Sequence, residues 1–210
     1  MSVYTNENCM DVMARLADKS IDLAIVDPPY GINISQDLAD KGKSCRKNGY
    51  REWEYKQWDS KRPDNQYFDE LFRVSKNQII WGGNYFTLQP SRCWIIWDKM
   101  QRDFSFADGE MAWTSFDRST RIFSYSRGAL LQEHKIHPTQ KPIALYKWLL
   151  HNYAKPGWLI LDTHVGSASS LVACEDMGFE YIACELDPDY YRDSCERIAT
   201  FRAQGKLEFI

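Results

Sequence analysis

The sequence predicts a doubly wound α/β domain, and three observations lead to that fold class. Short apolar runs rich in β-branched residues, such as 21–26 and 158–161, have the composition of strands buried inside a sheet. Segments with a helical period of apolar residues, such as 9–16, lie between such strands. Strand–helix–strand units of this kind place successive strands parallel in one sheet. At 210 residues the chain suits one domain spanning residues 1–210, with a small insertion at about 35–62.

Strands and helices alternate along the chain. A short strand at 3–4 precedes the helix at 9–16, and Asn8 is suited to cap that helix. The remaining strands are predicted near 21–26, 78–81, 92–97, 158–161 and 180–184. Further helices are predicted near 66–74, from Pro142 to about 153, up to about 178 and from Pro188 to about 202. Residues 111–116 and 121–125 alternate like the strands of a hairpin, and Thr139 is expected to cap the helix that follows it.

Composition excludes several functional classes. No apolar run is long enough to span a bilayer and no basic-then-apolar leader opens the chain, so no membrane partner is expected. The six cysteines form no CxxC pair or Cys/His cluster at metal spacing, and the four histidines are scattered, so no metal site is predicted. Cysteines used in this way are typical of reduced thiols in a cytoplasmic protein.

The most informative stretch is the strand at 21–26 and the four residues after it, Asp27, Pro28, Pro29 and Tyr30. Two consecutive prolines have no backbone N–H and fix φ, so the strand must stop there. A carboxylate, free carbonyls and an aromatic ring then stand at the carboxyl edge of a sheet, where open α/β folds bind ligands. Such a corner suits a planar substrate with an exocyclic amino group. A Pro-Pro turn with a capping aspartate is the alternative.

The segment 158–185 has the pattern of a nucleoside-binding βαβ unit. Gly166, Ser167 and Ala168 are small enough for a ligand to approach the backbone at a helix N-terminus, where a carboxylate is favoured. Glu185 follows the next strand, at a position where an acidic group can bind both ribose hydroxyls. Because no complete GxGxxG is present, a nucleoside carrying an amino acid fits better than a dinucleotide. A purely structural loop is the alternative.

A polar segment between 32 and 62 shows no period and mixes basic with aromatic residues. Between 41 and 62 it has eight basic against three acidic residues, although the whole chain has a net charge of −3. Cations that meet phosphates and rings that stack on bases fit a nucleic-acid partner, while a solvated mobile loop is the alternative. A second basic group lies near 118–127. The predicted DNA contacts are Lys41, Lys43, Arg46, Lys47, Arg51, Arg118 and Arg121.

The order of these segments along the chain is the Asp27–Tyr30 motif, then 137–142, then the loop at 162–167, then Glu185. That order resembles the β-class, circularly permuted DNA amino-methyltransferases, over about residues 1–34 and 79–200. The resemblance implies a Rossmann-like S-adenosylmethionine-dependent methyltransferase fold with a seven-stranded, largely parallel sheet and one antiparallel strand. It also implies S-adenosylmethionine as cofactor and methyl transfer to an exocyclic amino group.

The resemblance carries roles onto individual positions. Asp27, Pro28, Pro29 and Tyr30 match the catalytic motif, and residues 83–86 fall where the family has further pocket-lining residues. The implied cofactor-binding residues are Asp27, Asn8, Thr139, Lys141, Pro142, Asp162, His164, Gly166, Ser167 and Glu185. The sequence departs from the usual Asp-Pro-Phe-x-Gly-Ser-Gly loop at Thr163, His164 and Ala168. His164 is expected either to pack beside the cofactor or, preferably, to replace Phe on the loop surface.

The motif favours adenine N6 as the target, since Asp in its first position is more typical of adenine enzymes and Ser of cytosine-N4 enzymes. A duplex base must be flipped out of its stack, and Tyr30 would replace the lost stacking partner. Double-stranded DNA is therefore the expected partner, with a homodimer and a cognate restriction endonuclease as family-level expectations. Cytosine-N4 methylation, RNA or protein methylation, and a catalytically silent nucleic-acid-binding relative are the alternatives.

Overall fold

A single eight-stranded sheet forms the centre of the computed structural model, which describes residues 1–34, 56–102, 107–130 and 135–205. Its strands are β1 (Val3–Thr5), β2 (Ile21–Val26), β3 (Ser75–Trp81), β4 (Trp94–Asp98), β5 (Gly109–Thr114), β6 (Arg121–Ser124), β7 (Leu159–Asp162) and β8 (Glu180–Cys184). Their order across the sheet is β1-β8-β7-β2-β3-β5-β4-β6. Strand β5 is antiparallel to both neighbours and the other pairs are parallel.

Helices cover both faces of the sheet, so the predicted doubly wound α/β class is confirmed. The helices are α1 (Cys9–Ala14), α2 (Asn65–Val74), α3 (Arg127–Leu130), α4 (Ile143–Tyr153), α5 (Ser169–Met177) and α6 (Pro188–Gly205). Alternate residues of β2 serve the two faces: Leu23 and Ile25 pack with α4 and α5, whereas Ala24 and Val26 pack with α1 and α2. Burial on both faces explains why β2 reads as a continuous apolar run.

Two predictions about the sheet were wrong in detail. The strands at 109–114 and 121–124 do not form a hairpin, because β4 lies between β5 and β6 and pairs with both. The described part of the chain holds eight strands rather than the seven that the resemblance implies, seven of them running in one direction. The short edge strand β6, which pairs in parallel with β4, completes this count.

The predicted helix starts fared unequally. Asn8 caps α1 by accepting a hydrogen bond from the Met10 N–H at 2.9 Å, as predicted. Asp187 likewise accepts N–H groups in the first turn of α6. The prediction for α4 was wrong: Pro142 is its N-cap residue and Thr139 lies outside the helix, with its hydroxyl 3.1 Å from His137 Nδ1. None of the helices in the described ranges is long and apolar enough to cross a bilayer.

The parallel arrangement brings the carboxyl ends of five adjacent strands to one edge. Strand β2 pairs with β7 through Leu23–Ile160 and Ala24–Leu161, and β7 pairs with β8 through Asp162–Ala183. The residues that follow β2, β7 and β8 therefore emerge side by side. Such a carboxyl edge is where open α/β sheets bind their ligands.

Candidate active site

The Asp27–Tyr30 turn lies at the carboxyl end of β2. Oδ1 of Asp27 accepts a 2.6 Å hydrogen bond from the Tyr30 hydroxyl. Oδ2 accepts a hydrogen bond from the ammonium of Lys141, which also donates to the Tyr30 hydroxyl oxygen at 3.3 Å. The Lys141 side chain is only 3% exposed, so its ion pair with Asp27 is shielded from water. The geometry thus assembles a carboxylate, a phenol and a buried ammonium at one corner.

Asp59, which lies 29 residues after Tyr30 in the chain, binds the backbone of this turn. Its carboxylate accepts hydrogen bonds from the N–H groups of Tyr30 (2.7 Å), Gly31 (2.9 Å) and Ile34 (3.0 Å). Asp59 is 1% exposed, so these bonds form away from solvent. Arg62 adds a bond from Nε to the Tyr30 carbonyl and one from its guanidinium to the Tyr85 carbonyl, both 2.9 Å long. The turn is therefore fixed by charge-assisted hydrogen bonds on both sides.

The ring of Tyr30 sits between the loop after β3 and the sheet. It stacks on Tyr85 with a centroid separation of 4.9 Å and an interplanar angle of 13°, and Phe86 meets it edge-on at 6.2 Å. Gly82 has a φ of +67°, and a Cβ on it would lie 2.1 Å from the Tyr30 ring. Only glycine fits there, because both the backbone conformation and the close contact exclude a side chain. Gly82, Tyr85 and Phe86 thus pack around the ring, and the pocket-lining role of residues 83–86 stays a prediction.

Lys141 is shared between two carboxylates. Its Nζ lies 3.1 Å from Oε2 of Glu110 on β5, while Oε1 of Glu110 lies 2.8 Å from Nζ of Lys99. Burial alone would raise the pKa of Glu110, but the charges of Lys141 and Lys99 outweigh it and lower that pKa to about 2. Burial alone would lower the pKa of Lys141, yet Asp27 and Glu110 raise it. Glu110 and Lys141 are therefore both charged at neutral pH.

The Asp162 carboxylate lies at the carboxyl end of β7, the strand next to β2. It accepts hydrogen bonds from the His164 N–H at 3.0 Å and from the Ser170 hydroxyl. Burial raises the pKa of Asp162 to about 7, and the negative charges of Asp27 and Glu185 add to the rise. The three carboxylates follow or end three adjacent strands, β2, β7 and β8, and so lie near one another at the carboxyl edge.

Glu185 follows β8, the strand next to β7. Its carboxylate accepts hydrogen bonds from the Gly166 N–H at 2.8 Å and the Asp187 N–H at 2.9 Å, and burial raises its pKa. Asn6, which follows β1, donates from its side-chain amide to the carbonyl of Glu185 at 2.7 Å and to that of Leu186 at 3.1 Å. Gly166 has a φ of +53°, a conformation that glycine adopts without strain. The half-buried Glu185 carboxylate therefore lies directly beside the glycine-bearing loop.

His164, a predicted site residue, and His137, in the segment 137–142, are both half-buried and are neutral at pH 7. The ring of His164 packs edge-on against Tyr67 of α2 at 5.4 Å, and its Nδ1 lies 2.9 Å from the Thr163 hydroxyl. Burial lowers the pKa of His164 to about 4. His137 packs against Tyr190 (4.4 Å) and Trp58 (5.1 Å), and burial lowers its pKa to about 3.

The structure brings most of the predicted site residues to one edge. Asn8 is exposed just beyond β1, Pro142 begins α4, and Ser167 is buried, with its carbonyl accepting a bond from Arg197 at 2.7 Å. Two predicted DNA contacts lie elsewhere: Arg121 opens β6 at the opposite edge of the sheet, and Arg118 bonds to the Asn152 carbonyl at the end of α4. The remaining ones, Lys41, Lys43, Arg46, Lys47 and Arg51, lie outside the described residues.

Sequence reasoning missed three residues of the corner: Asp59, Arg62 and Glu110. Asp59 and Arg62 fall in the polar segment, where they counted only as charges. Glu110 lies just before the strand predicted at 111–116. No local pattern links it to its partner Lys141, which lies 31 residues later.

The fold and the site define an α/β protein with an Asp-Pro-Pro-Tyr corner beside two further carboxylates, Asp162 and Glu185, at the carboxyl edge of the sheet. Residues 88–196 match the family model N6_N4_Mtase, described as DNA methylase, and the chain belongs to that family. A putative methylase, YubD of Escherichia coli strain K12, is 24% identical over 95% of this chain and 91% of its own length.

Two solved structures share the fold at low identity. The M1.HpyAVI complex with SAM aligns with a TM-score of 0.59 at 18% identity, over 94% of this chain and all of the other. The cytosine-N4-specific PvuII DNA methyltransferase aligns with a TM-score of 0.59 at 15% identity, over 94% of this chain and 90% of its own. These matches bear out the predicted family and fold class.

Proposed function

We propose that this protein transfers a methyl group from S-adenosylmethionine to the exocyclic N6 of an adenine flipped out of double-stranded DNA. One observation supports this most strongly: the Asp27 carboxylate ends the strand next to the one that ends in Asp162. A base held at Asp27 and a methyl donor held at Asp162 and Glu185 would then meet at neighbouring strand ends.

The residues at these strand ends fit S-adenosylmethionine by their chemistry. Gly166 lets a ligand approach the backbone closely, Glu185 offers two oxygens that suit the vicinal hydroxyls of a ribose, and Asp162 offers a buried carboxylate that suits a cation. Asn8, Thr139, Lys141, Pro142, His164 and Ser167 stay predicted contacts. When bound, this cofactor supplies an electrophilic methyl group on a positively charged sulfur.

The corner prepares the nucleophile. The amino nitrogen of adenine is a poor nucleophile because its lone pair is delocalised into the ring. Hydrogen bonds from its two hydrogens to Asp27 and to the Pro28 carbonyl localise that lone pair and stabilise the positive charge that develops on nitrogen. The Asp27 carboxylate is the nearest base for the proton that the methylated nitrogen must lose. Tyr30 offers its ring as the stacking partner of the extruded base.

Adenine is favoured over cytosine by the motif, with Asp27 in the first position. Cytosine N4 is the second candidate, supported by the fold shared with the cytosine-N4-specific PvuII enzyme. The DNA contacts predicted in 41–51 rest on charge alone. Reversing several of these charges should weaken DNA binding and leave S-adenosylmethionine binding intact. A homodimer and a cognate restriction endonuclease stay predictions.

The test is to express the protein in cells that lack endogenous DNA methylation. Hydrolysed DNA is analysed by mass spectrometry, and intact DNA is sequenced with modification-sensitive reads. N6-methyladenine in a fixed sequence context supports the proposal, whereas N4-methylcytosine replaces it with the second candidate. If the DNA contains neither modified base but the protein binds S-adenosylmethionine in calorimetry, RNA or protein is left as the substrate. If the protein neither modifies DNA nor binds S-adenosylmethionine, it is a catalytically silent relative.

A further inference from the structure

Four charged side chains, starting with Asp27, form a largely buried row whose charges sum to zero. In order of contact they are Asp27, Lys141, Glu110 and Lys99. Their side chains are between 3% and 23% exposed. Charges that are this poorly hydrated need partners, because an unpaired buried ion strongly destabilises the fold.

Methyl transfer poses a problem for this arrangement. In the structure both oxygens of Asp27 accept hydrogen bonds, one from Tyr30 and the other from Lys141. A target amino group that binds Asp27 must compete with the ammonium, and a cation held tightly there opposes the positive charge that develops on nitrogen. Lys141 can leave Asp27 without cost only if a second anion is within reach.

We propose that Glu110 is a positioning residue, which provides this second anion and draws Lys141 away from Asp27 when the target amino group binds. The inference rests on the proposed function and deepens it. Oε2 of Glu110 already lies 3.1 Å from Nζ of Lys141, so the ammonium needs to shift only slightly. Lys99, 2.8 Å from the other oxygen of Glu110, keeps that carboxylate in place and balances its charge. Removing Glu110 leaves Asp27 as the only carboxylate in contact with Lys141, and the ammonium then competes there with the substrate.

The test compares the turnover of Glu110→Gln, Lys141→Met and the double variant with the wild type, at saturating DNA and S-adenosylmethionine. Glu110→Gln keeps the shape of the side chain, and we expect kcat to fall by about tenfold or more while the Kd for S-adenosylmethionine changes by less than about threefold. Since Glu110 acts through Lys141, adding Glu110→Gln to Lys141→Met should cost no more than about twofold. Glu175→Gln is the matched control, because Glu175 is also a largely buried, paired carboxylate but faces Arg202.

Each outcome decides. A Glu110→Gln enzyme as fast as the Glu175→Gln control would overturn the inference, and so would additive losses in the double variant. If Glu110→Gln does not fold, Glu110→Asp, which keeps the charge but withdraws it from Lys141, is carried through the same cycle with the same criteria. A wild-type protein that methylates no DNA would refute the proposed function itself, which is a different result from an active wild type with an indifferent Glu110.

Discussion

Tyr30 and Asp27, three residues apart, are joined side chain to side chain by a 2.6 Å hydrogen bond. The bond orients the carboxylate and the ring relative to one another before any substrate binds. Burial and the charge of Asp27 raise the pKa of the Tyr30 hydroxyl well above its usual range, so it is protonated and donates at any pH at which the protein is studied. The Asp27 carboxylate and the Tyr30 ring are thus held in one fixed arrangement.

We expect the ring of Tyr30 to matter more than its hydroxyl. Tyr30→Ala removes the surface on which a base stacks, which is worth about 1–3 kcal/mol, so kcat/KM for DNA should fall by roughly tenfold to a hundredfold. Tyr30→Phe keeps the ring and frees one oxygen of Asp27, and it should retain activity within about tenfold of the wild type. Steady-state kinetics on one DNA substrate measures both. Equal losses in the two variants would contradict the stacking role.

Asp59 should matter for both stability and turnover. In Asp59→Ala the N–H groups of Tyr30, Gly31 and Ile34 lose their acceptor, and each buried orphan costs about 1–3 kcal/mol. We expect a clear fall in the urea midpoint and in kcat. Asp117→Ala is the control, because Asp117 forms an exposed ion pair with Arg92 at the other edge of the sheet and its removal should change neither quantity. An Asp59→Ala protein with wild-type stability would contradict the role of Asp59 in holding the turn.

The binding of S-adenosylmethionine should depend on pH through Asp162, whose pKa burial raises to about 7. A cation bound beside Asp162 favours its ionised form and lowers this pKa, so binding releases a proton and tightens as the pH rises from about 6 to 8. Calorimetry in two buffers of different ionisation enthalpy measures the released proton. Asp162→Asn should abolish the release, and the same proton release in that variant would assign it to another group.

His164 should contribute to acid sensitivity. Its pKa is lowered to about 4 in the fold, against an ordinary 6.5, so the native state resists protonation while the unfolded chain accepts it. Stability therefore falls as the pH drops below 6.5, by up to about 2 kcal/mol at pH 5 from this residue. His164→Phe, measured by urea unfolding at pH 7 and pH 5, should lose less stability than the wild type between the two pH values. An equal loss would show that His164 is not responsible.

The sequence predicted those parts of the fold and site that depend on local signals. The β2 strand and its Pro-Pro stop, the Asn8 cap and the start of α6 at Pro188 are all decided within a few residues, and all are found. The proposed hairpin failed because alternation identifies strands but cannot show that β4 inserts between β5 and β6. Thr139 failed as a cap because its hydroxyl pairs with His137 instead.

The parts that escaped prediction depend on contacts between distant residues. Asp59 reaches back 29 residues to the Tyr30 N–H, and Glu110 on β5 meets Lys141, which lies 31 residues later in the chain. Arg118 and Arg121 counted as basic charge in the sequence, but the direction of β6 puts them at the edge opposite Asp27. Charge along a chain does not show which edge of a sheet it will occupy.

The most direct test of the account is methyl transfer from labelled S-adenosylmethionine to DNA by the wild type and by Asp27→Ala, with cofactor binding measured on the same samples. We expect methyl transfer by the wild type, a rate of transfer at least about a thousandfold lower in the variant, and similar Kd values of the two proteins for S-adenosylmethionine. Substantial transfer by a folded, cofactor-binding Asp27→Ala protein would contradict the central role given to this carboxylate.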